Sequence, residues 1–422
     1  MAALCARISG TVARSPLHRS ISAFQVISKQ SGKPFQQRLT WSQLKHMHYQ
    51  SQSKVAVPLQ SKRSRFSRHW LVMMATAGFS QGFLGINLGK KEDEKKGGDP
   101  LLRVYAEAKH AHMTQDFNKA EIRYHDALKV ADEMLKLKKI NFKTYLGAKT
   151  NIYDSLADMA LVRGDLEKAE GLYKETMKGC LQQGLEKDSN AIIELSIKLS
   201  SIYAMLDRAA EAEQGLQFCI KSQDAKMSAE EESKEAFKVP DTIIEAVASK
   251  EADPNKLLAE DAAKLAEAEQ DEEEKKRDTQ ALLGMALETY GRFLMGQRRL
   301  GEAVPLLERA LGVAETVLGT DNGQYIILLN DLASAQILLR NWDQATKTLN
   351  TAIESATRMK SSQLPALYCN LGAVYLRTSK LDEAEETCLK AQDLAHKNKN
   401  TTAFSMSQKC LEKIQQVKKG VA

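Results

Sequence analysis

The first 91 residues contain no aspartate or glutamate, although they carry 14 lysines and arginines; the first acid is Glu92. A folded surface normally mixes both signs, so this stretch does not read as part of a globular domain. The rest of the chain holds 46 basic and 54 acidic residues, so the formal net charge of +6 belongs to the leader. A nucleic-acid binder would carry its basic excess on a folded face, and no nucleic-acid partner is expected. Aromatics make up 6% of the sequence and there are eight prolines, which argues against a Pro-rich disordered chain and fits a helical one. Six cysteines are present, Cys5, Cys180, Cys219, Cys369, Cys388 and Cys410, and no two form a CxxC. That removes the usual zinc and redox spacings and leaves buried thiols as the expectation.

Catalytic signatures are also missing. There is no HExxH and no GxSxG. Four of the eight histidines (His18, His46, His48 and His69) lie in the leader. His110 and His112 are two apart, so on a helix they point to different sides, and His125 stands alone. No enzyme activity, cofactor or metal is expected.

What is present begins with that leader. Residues 1–69 are rich in Arg, Lys, Ser and Gln and free of acid, the composition of a mitochondrial transit peptide. No apolar region follows Met1, which argues against a secretory signal. Trp70 to Leu88 is an uncharged run of 19 residues between Arg68 and Lys90. Residues 70–89 are therefore a candidate single membrane span. Gly78, Gly82, Gly85 and Gly89 give that segment a smooth face suited to helix packing. They do not form a phosphate loop, because Gly85 and Gly89 are one residue too close and Lys90 is followed by Lys91. Residues 90–100 read as a polar linker.

Thr150 to Met177 reads as two amphipathic helices joined at Arg163-Gly164-Asp165. Tyr153, Leu156, Ala157 and Ala160 form one apolar face, and Leu166, Ala169, Tyr173 and Met177 the other. The pairing of small and large residues is that of a tetratricopeptide repeat, a helix–turn–helix unit of about 34 residues. With Ala169 as marker the pattern recurs at Ala120, Ala212, Ala303, Ala345 and Ala384. Each marker is followed four residues on by a bulky or thiol side chain: Tyr124, Leu216, Leu307, Leu349 and Cys388. Glu107 and Gln336 occupy positions where apolar residues are usual. The expected architecture is an all-α solenoid with repeats at 101–221 and 281–398 and a capping helix within 399–422. Residues 222–280 interrupt it with 18 acidic and 9 basic residues, a charged insert suited to a solvated face or to a basic partner segment.

A stack of such repeats offers a groove lined by the first helix of each unit. By register the groove residues are Asn151, Asp154, Asp158, Glu194, Ser201, Glu288, Arg292, Asn330, Ser334 and Asn370. Their carboxylates and amides suit an extended peptide with basic side chains. The wide marker spacing also resembles kinesin light chain repeats, which would imply a cytosolic trafficking adaptor. A more specific resemblance lies in Asp188–Ala204, Val162–Glu170 and Asp331–Ala333, which resemble the mitochondrial tetratricopeptide repeat protein 19 family over most of 101–394. That resemblance implies a non-catalytic protein of the mitochondrial inner membrane. It implies partnership with respiratory complex III (ubiquinol–cytochrome c reductase) and clearance of amino-terminal fragments of its Rieske iron–sulfur subunit. The insert at 222–280 is longer than the family suggests.

Overall fold

A computed structural model describes residues 99–236 and 257–420, with side-chain environments for 99–229 and 272–420. The transit-peptide leader, the candidate span and most of the polar linker lie outside the described residues. Within them every regular element is an α-helix: α1 (Pro100–Met113), α2 (Phe117–Lys136), α3 (Phe142–Arg163), α4 (Leu166–Gln182), α5 (Asn190–Met205) and α6 (Ala209–Ala236) come first. After the undescribed stretch 237–256 follow α7 (Leu257–Gly296), α8 (Leu300–Leu318), α9 (Gly323–Leu338), α10 (Trp342–Arg358), α11 (Leu364–Arg377), α12 (Leu381–Lys397) and α13 (Thr401–Lys418). Each odd-numbered helix up to α11 forms a hairpin with the helix after it, and α13 packs on α11 and α12. Among the described residues no helix is long and apolar enough to cross a membrane.

The marker positions are the contact line of each hairpin. Ala120, Ala169, Ala212, Ala303, Ala345 and Ala384 are all fully buried, as are the residues four positions on: Tyr124, Tyr173, Leu216, Leu307, Leu349 and Cys388. Seven positions on, Ala127, Thr176, Cys219, Ala310, Ala352 and Ala391 complete a buried stripe. Thr176 takes that place rather than Met177, which is only half-buried; seven residues is nearly two helical turns, and eight overshoots the stripe. The odd helices are buried on more sides. α5 has twelve buried positions from Ala191 to Ala204 because it lies among α4, α6 and α7. Gln336, the polar departure from the pattern, is buried and accepts a hydrogen bond from Thr348 Oγ1 at 2.9 Å. Glu107 is exposed and pairs with Arg123 at 3.4 Å.

The hairpin turns share one device. In each, a residue two or three past the helix end donates its N–H to the carbonyl five residues back: Asp116 to Ala111, Asp165 to Ala160, Arg208 to Tyr203, Arg299 to Leu294, Asn341 to Gln336 and Lys380 to Tyr375. This closure places the preceding residue in the left-handed region. Only one of the six is the glycine the sequence suggests, Gly164 at φ 83°. Gln115, Asp207, Arg298, Arg340 and Ser379 adopt φ of 60–64° despite carrying a Cβ. Polar caps start the next helix in several cases. Asp116 accepts from Lys119 N, Asn141 from Thr144 N and Asn400 from Ala403 N, filling donors that the helix leaves open.

The charged stretch 222–280 is built partly from its neighbours. α6 continues to Ala236 and α7 begins at Leu257, so the helices on either side of the stretch extend into it. The five described cysteines, Cys180, Cys219, Cys369, Cys388 and Cys410, are free and buried. Burial pushes the thiols of Cys180, Cys219 and Cys369 up to about 12, so they remain protonated at neutral pH.

Candidate functional site

The first helices of successive hairpins are joined by a row of polar contacts. Tyr105 of α1 shares a hydrogen bond with Ser155 of α3 at 3.3 Å. Lys198 of α5 donates to Asp158 of α3 at 3.1 Å. Asn190 of α5 donates to Thr279 of α7 at 3.2 Å and accepts from Gln223 of α6 at 3.3 Å. Gln324 of α9 donates to Glu288 of α7 at 2.6 Å, and Arg292 of α7 meets Asp331 of α9 at 2.5 Å. Asn370 of α11 donates to Asn330 of α9 at 2.8 Å. The row therefore runs from α1 to α11, with at least one side-chain link at every junction.

The predicted groove residues fall into this row, but not as a free lining. Asp154, Asp158, Glu194, Ser201 and Glu288 are buried, whereas the groove reading needs them open to a peptide. The reason is geometric. Helical periodicity assigns a residue to the first helix's inner side, but the next repeat's first helix covers part of that side. Arg292 and Glu288 pair along α7 at 2.9 Å. Ser201 and Ser334 donate to carbonyls of their own helices, at Ile197 and Asn330. Asn151, Arg292, Asn330, Ser334 and Asn370 are half-buried and keep part of their surface in solvent.

The most heavily charged point is the α3–α5 junction. Asp154 and Asp158 lie one turn apart on α3, and Glu194 and Lys198 one turn apart on α5. The Lys198 ammonium lies 3.0 Å from Glu194, 3.1 Å from Asp158 and 3.6 Å from Asp154. All four residues are at most 4% exposed. Tyr173 of α4 donates to Asp158 Oδ1 at 2.5 Å, and its ring faces the ammonium at 5.3 Å from the centroid. Asp154 Oδ2 is buried without a hydrogen-bond partner. Burial holds the Asp158 carboxyl up at about 7, against the pull of Lys198 and with a push from Asp154. Burial raises Glu194 as well. Lys198 stays charged: burial disfavours its ammonium, but the surrounding carboxylates hold its pKa well above that of a free lysine.

Periodicity missed this lysine because a Glu–Lys pair four residues apart normally reads as a solvated helix face. A second set was also missed and had a plain signal. Glu121, Glu170, Glu213 and Glu385 each follow a marker alanine directly. Each pairs with a base from a later element: Arg163 at 2.5 Å, Arg208 at 2.9 Å, Arg299 at 2.7 Å and Lys418 at 2.7 Å. A repeated Ala-Glu step marks the residues that tie one hairpin to the next on this side of the stack.

The hairpin stripe, the shared turn closure and the stacking of hairpins decide the architecture. The chain is a tetratricopeptide-repeat solenoid. A tetratricopeptide repeat family model matches residues 282–358 of the solenoid. Curated relatives are named tetratricopeptide repeat protein 19, mitochondrial. The Homo sapiens protein is 30% identical over 286 residues, covering 68% of this chain and 64% of that one. The Drosophila melanogaster homologue is 23% identical over 381 residues, 88% of this chain and 89% of that one. The chain thus spans somewhat less than two thirds of the length of the human relative it matches. A crystal structure of BtubC (BKLC) from P. vanneervenii aligns with a TM-score of 0.43 at 17% identity, covering 71% of this chain and 92% of that chain. The resemblance read from Asp188–Ala204 is therefore matched by similarity to the same set of proteins over 68% and 88% of the chain.

Proposed function

We propose that this solenoid is a non-catalytic scaffold of the mitochondrial inner membrane that binds respiratory complex III and promotes clearance of amino-terminal Rieske fragments. The observation that carries this reading is the similarity of the repeat array to relatives named mitochondrial tetratricopeptide repeat protein 19. The acid-free leader supports import, and the uncharged run Trp70–Leu88 supports anchoring. The half-buried amides Asn151, Asn330 and Asn370 are the groove residues best placed to hold a partner's backbone. Any peptide cleavage belongs to a separate protease, and the solenoid's part is to hold the complex or its fragment.

The test is affinity purification of the tagged full chain from detergent-solubilised mitochondria. Complex III subunits, including the Rieske subunit, are expected to co-elute. Cells lacking the protein should accumulate Rieske amino-terminal fragments. Recovery of the solenoid from mitochondria without complex III subunits, with unchanged Rieske turnover in the deletion, overturns the assignment. Recovery only from cytosol would point instead to a trafficking adaptor.

A further inference from the structure

We propose that Asp154, Asp158, Glu194 and Lys198 form a proton-binding site that controls how firmly the second and third hairpins dock. The geometry makes the point first. Three carboxylates converge on one ammonium within 3.0–3.6 Å, and every member is at most 4% exposed. If all three ionise, the cluster carries two uncompensated negative charges out of reach of water, which is costly at such separations. A bound proton removes one of them. The two halves sit on different elements, α3 and α5, so the repulsion acts across the helix junction rather than within one helix.

The groups around the cluster are consistent with this reading. From α4, Tyr173 donates to Asp158, and Cys180 is a neutral thiol whose pKa is pushed up by burial and, less, by Asp154 and Glu194. From α2, Tyr124 is a neutral phenol held so by burial and by Asp154 and Asp158. From α7, Asp278 lies close enough to disfavour ionisation of Glu194. Asp278 is itself raised to about 6 by burial and by Glu274, against the pull of Arg277. From α6, Gln223 donates to the Asn190 side chain and Cys219 to the Ile193 carbonyl of α5. Lys198 is therefore the one cation that makes contact with these carboxylates among the described residues.

The direction follows from linkage. Asp158 has a folded value of about 7 against an ordinary value of 3.8. Between those values the folded state holds a proton that the unfolded state has released, so docking weakens as pH rises from about 4 to about 7 and levels off above. Glu194 shifts in the same direction. The carboxylates lowered by surface ion pairs, such as Glu121, act below their ordinary value of 4.5 and leave the upper part of this window undisturbed. His112 on α1 opposes the trend, because burial lowers it from 6.5 to about 4. A local readout is therefore needed rather than global melting.

The experiment is amide hydrogen exchange on the full chain from pH 5 to pH 8.5, corrected for intrinsic exchange. Amides in α3 and α5 should lose protection by up to about tenfold per pH unit up to pH 7, then become flat, as expected for one linked proton. Amides in α9 and α10 serve as the internal reference and should not follow. Asp158→Asn mimics the protonated carboxyl and should flatten the profile. A pH-independent α3–α5 junction in the natural protein, or an undiminished slope in Asp158→Asn, overturns the proposal. Should the variant not fold, infrared difference spectra of the natural protein between pH 6 and pH 8 decide the matter. They should show a buried carboxylic acid ionising, and its absence overturns the proposal equally.

Discussion

Replacing Lys198 with methionine would leave Asp154, Asp158 and Glu194 facing one another with no cation among them. Burial already raises Asp158 and Glu194, and Asp154 Oδ2 has no hydrogen-bond partner to fall back on. Removing one partner of a buried ion cluster costs about 3–5 kcal/mol, well above the effect of deleting an exposed pair. Lys198→Met is therefore expected to lower the unfolding free energy, measured by urea titration at pH 8, by an amount in that range. The loss should shrink at pH 5, where protons can replace the missing ammonium. Equal destabilisation at both pH values would mean that the lysine acts by packing alone. The contrast with Arg358 and Asp321 is instructive, because that pair lies 3.0 Å apart at similar sequence separation but on the surface. The same residue types carry different weight according to whether water can replace the partner.

At the scale of the element, close approach between hairpin helices depends on glycine in a few places. A Cβ on Gly215 of α6 would lie 2.1 Å from Ser200 Oγ of α5, and one on Gly179 of α4 would lie 2.2 Å from Thr150 Oγ1 of α3. Gly215→Ala should destabilise by about 1–3 kcal/mol through overpacking. Adding Ser200→Ala removes the clashing oxygen and forfeits only its bond to the Ser196 carbonyl at 2.7 Å. The double variant is expected to regain most of the loss, a coupling readable in a double-mutant cycle. An uncoupled pair would mean that α5 and α6 shift apart rather than collide. Gly312→Ala in α8 is the opposite case. It is exposed with nothing within 4 Å of a Cβ, so alanine there should stabilise by roughly 0.5–1 kcal/mol.

Such contacts also show what a sequence can and cannot disclose. The marker alanines and their partners four residues on were legible because small and large residues alternate at helical spacing, and all of them are buried. The turns at Gln115, Asp207, Arg298, Arg340 and Ser379 carried no glycine signal, because the closing hydrogen bonds outweigh a left-handed strain of about 1–2 kcal/mol. The expected groove residues lie on the first helices of their hairpins. Half of them are nonetheless buried, since register fixes a face but not what covers it. Lys198 was hidden because its partners Asp154 and Asp158 are 40 or more residues away in sequence, and no local spacing links them.

For the molecule as a whole, a solenoid's stability is a sum of hairpin terms and nearest-neighbour junctions, so damage should stay near where it is done. The last helix offers the clearest case. α13 covers Cys369, Ala391 and Ala395 with Ala403 and Phe404, and it covers Ala384 and Cys388 with Cys410 and Ile414. Lys418 further ties it to Asp382 and Glu385 of α12 at 2.9 and 2.7 Å. Ending the chain at Asn398 would return those apolar surfaces to water, at a cost on the order of several kcal/mol from Ile414, Phe404 and their partners. The expected outcome is loss of exchange protection in α11 and α12, with α9 and α10 less affected and α3 to α5 unchanged. Thermal unfolding should then separate into an early C-terminal step and a later one. That separation matters for the proton site, because the α3–α5 junction can loosen only if it has some independence from the rest of the array. A uniform fall in protection from α1 to α12 on removing α13 would show that the hairpins open together. In that case the pH response would be carried by the entire solenoid instead of by one junction.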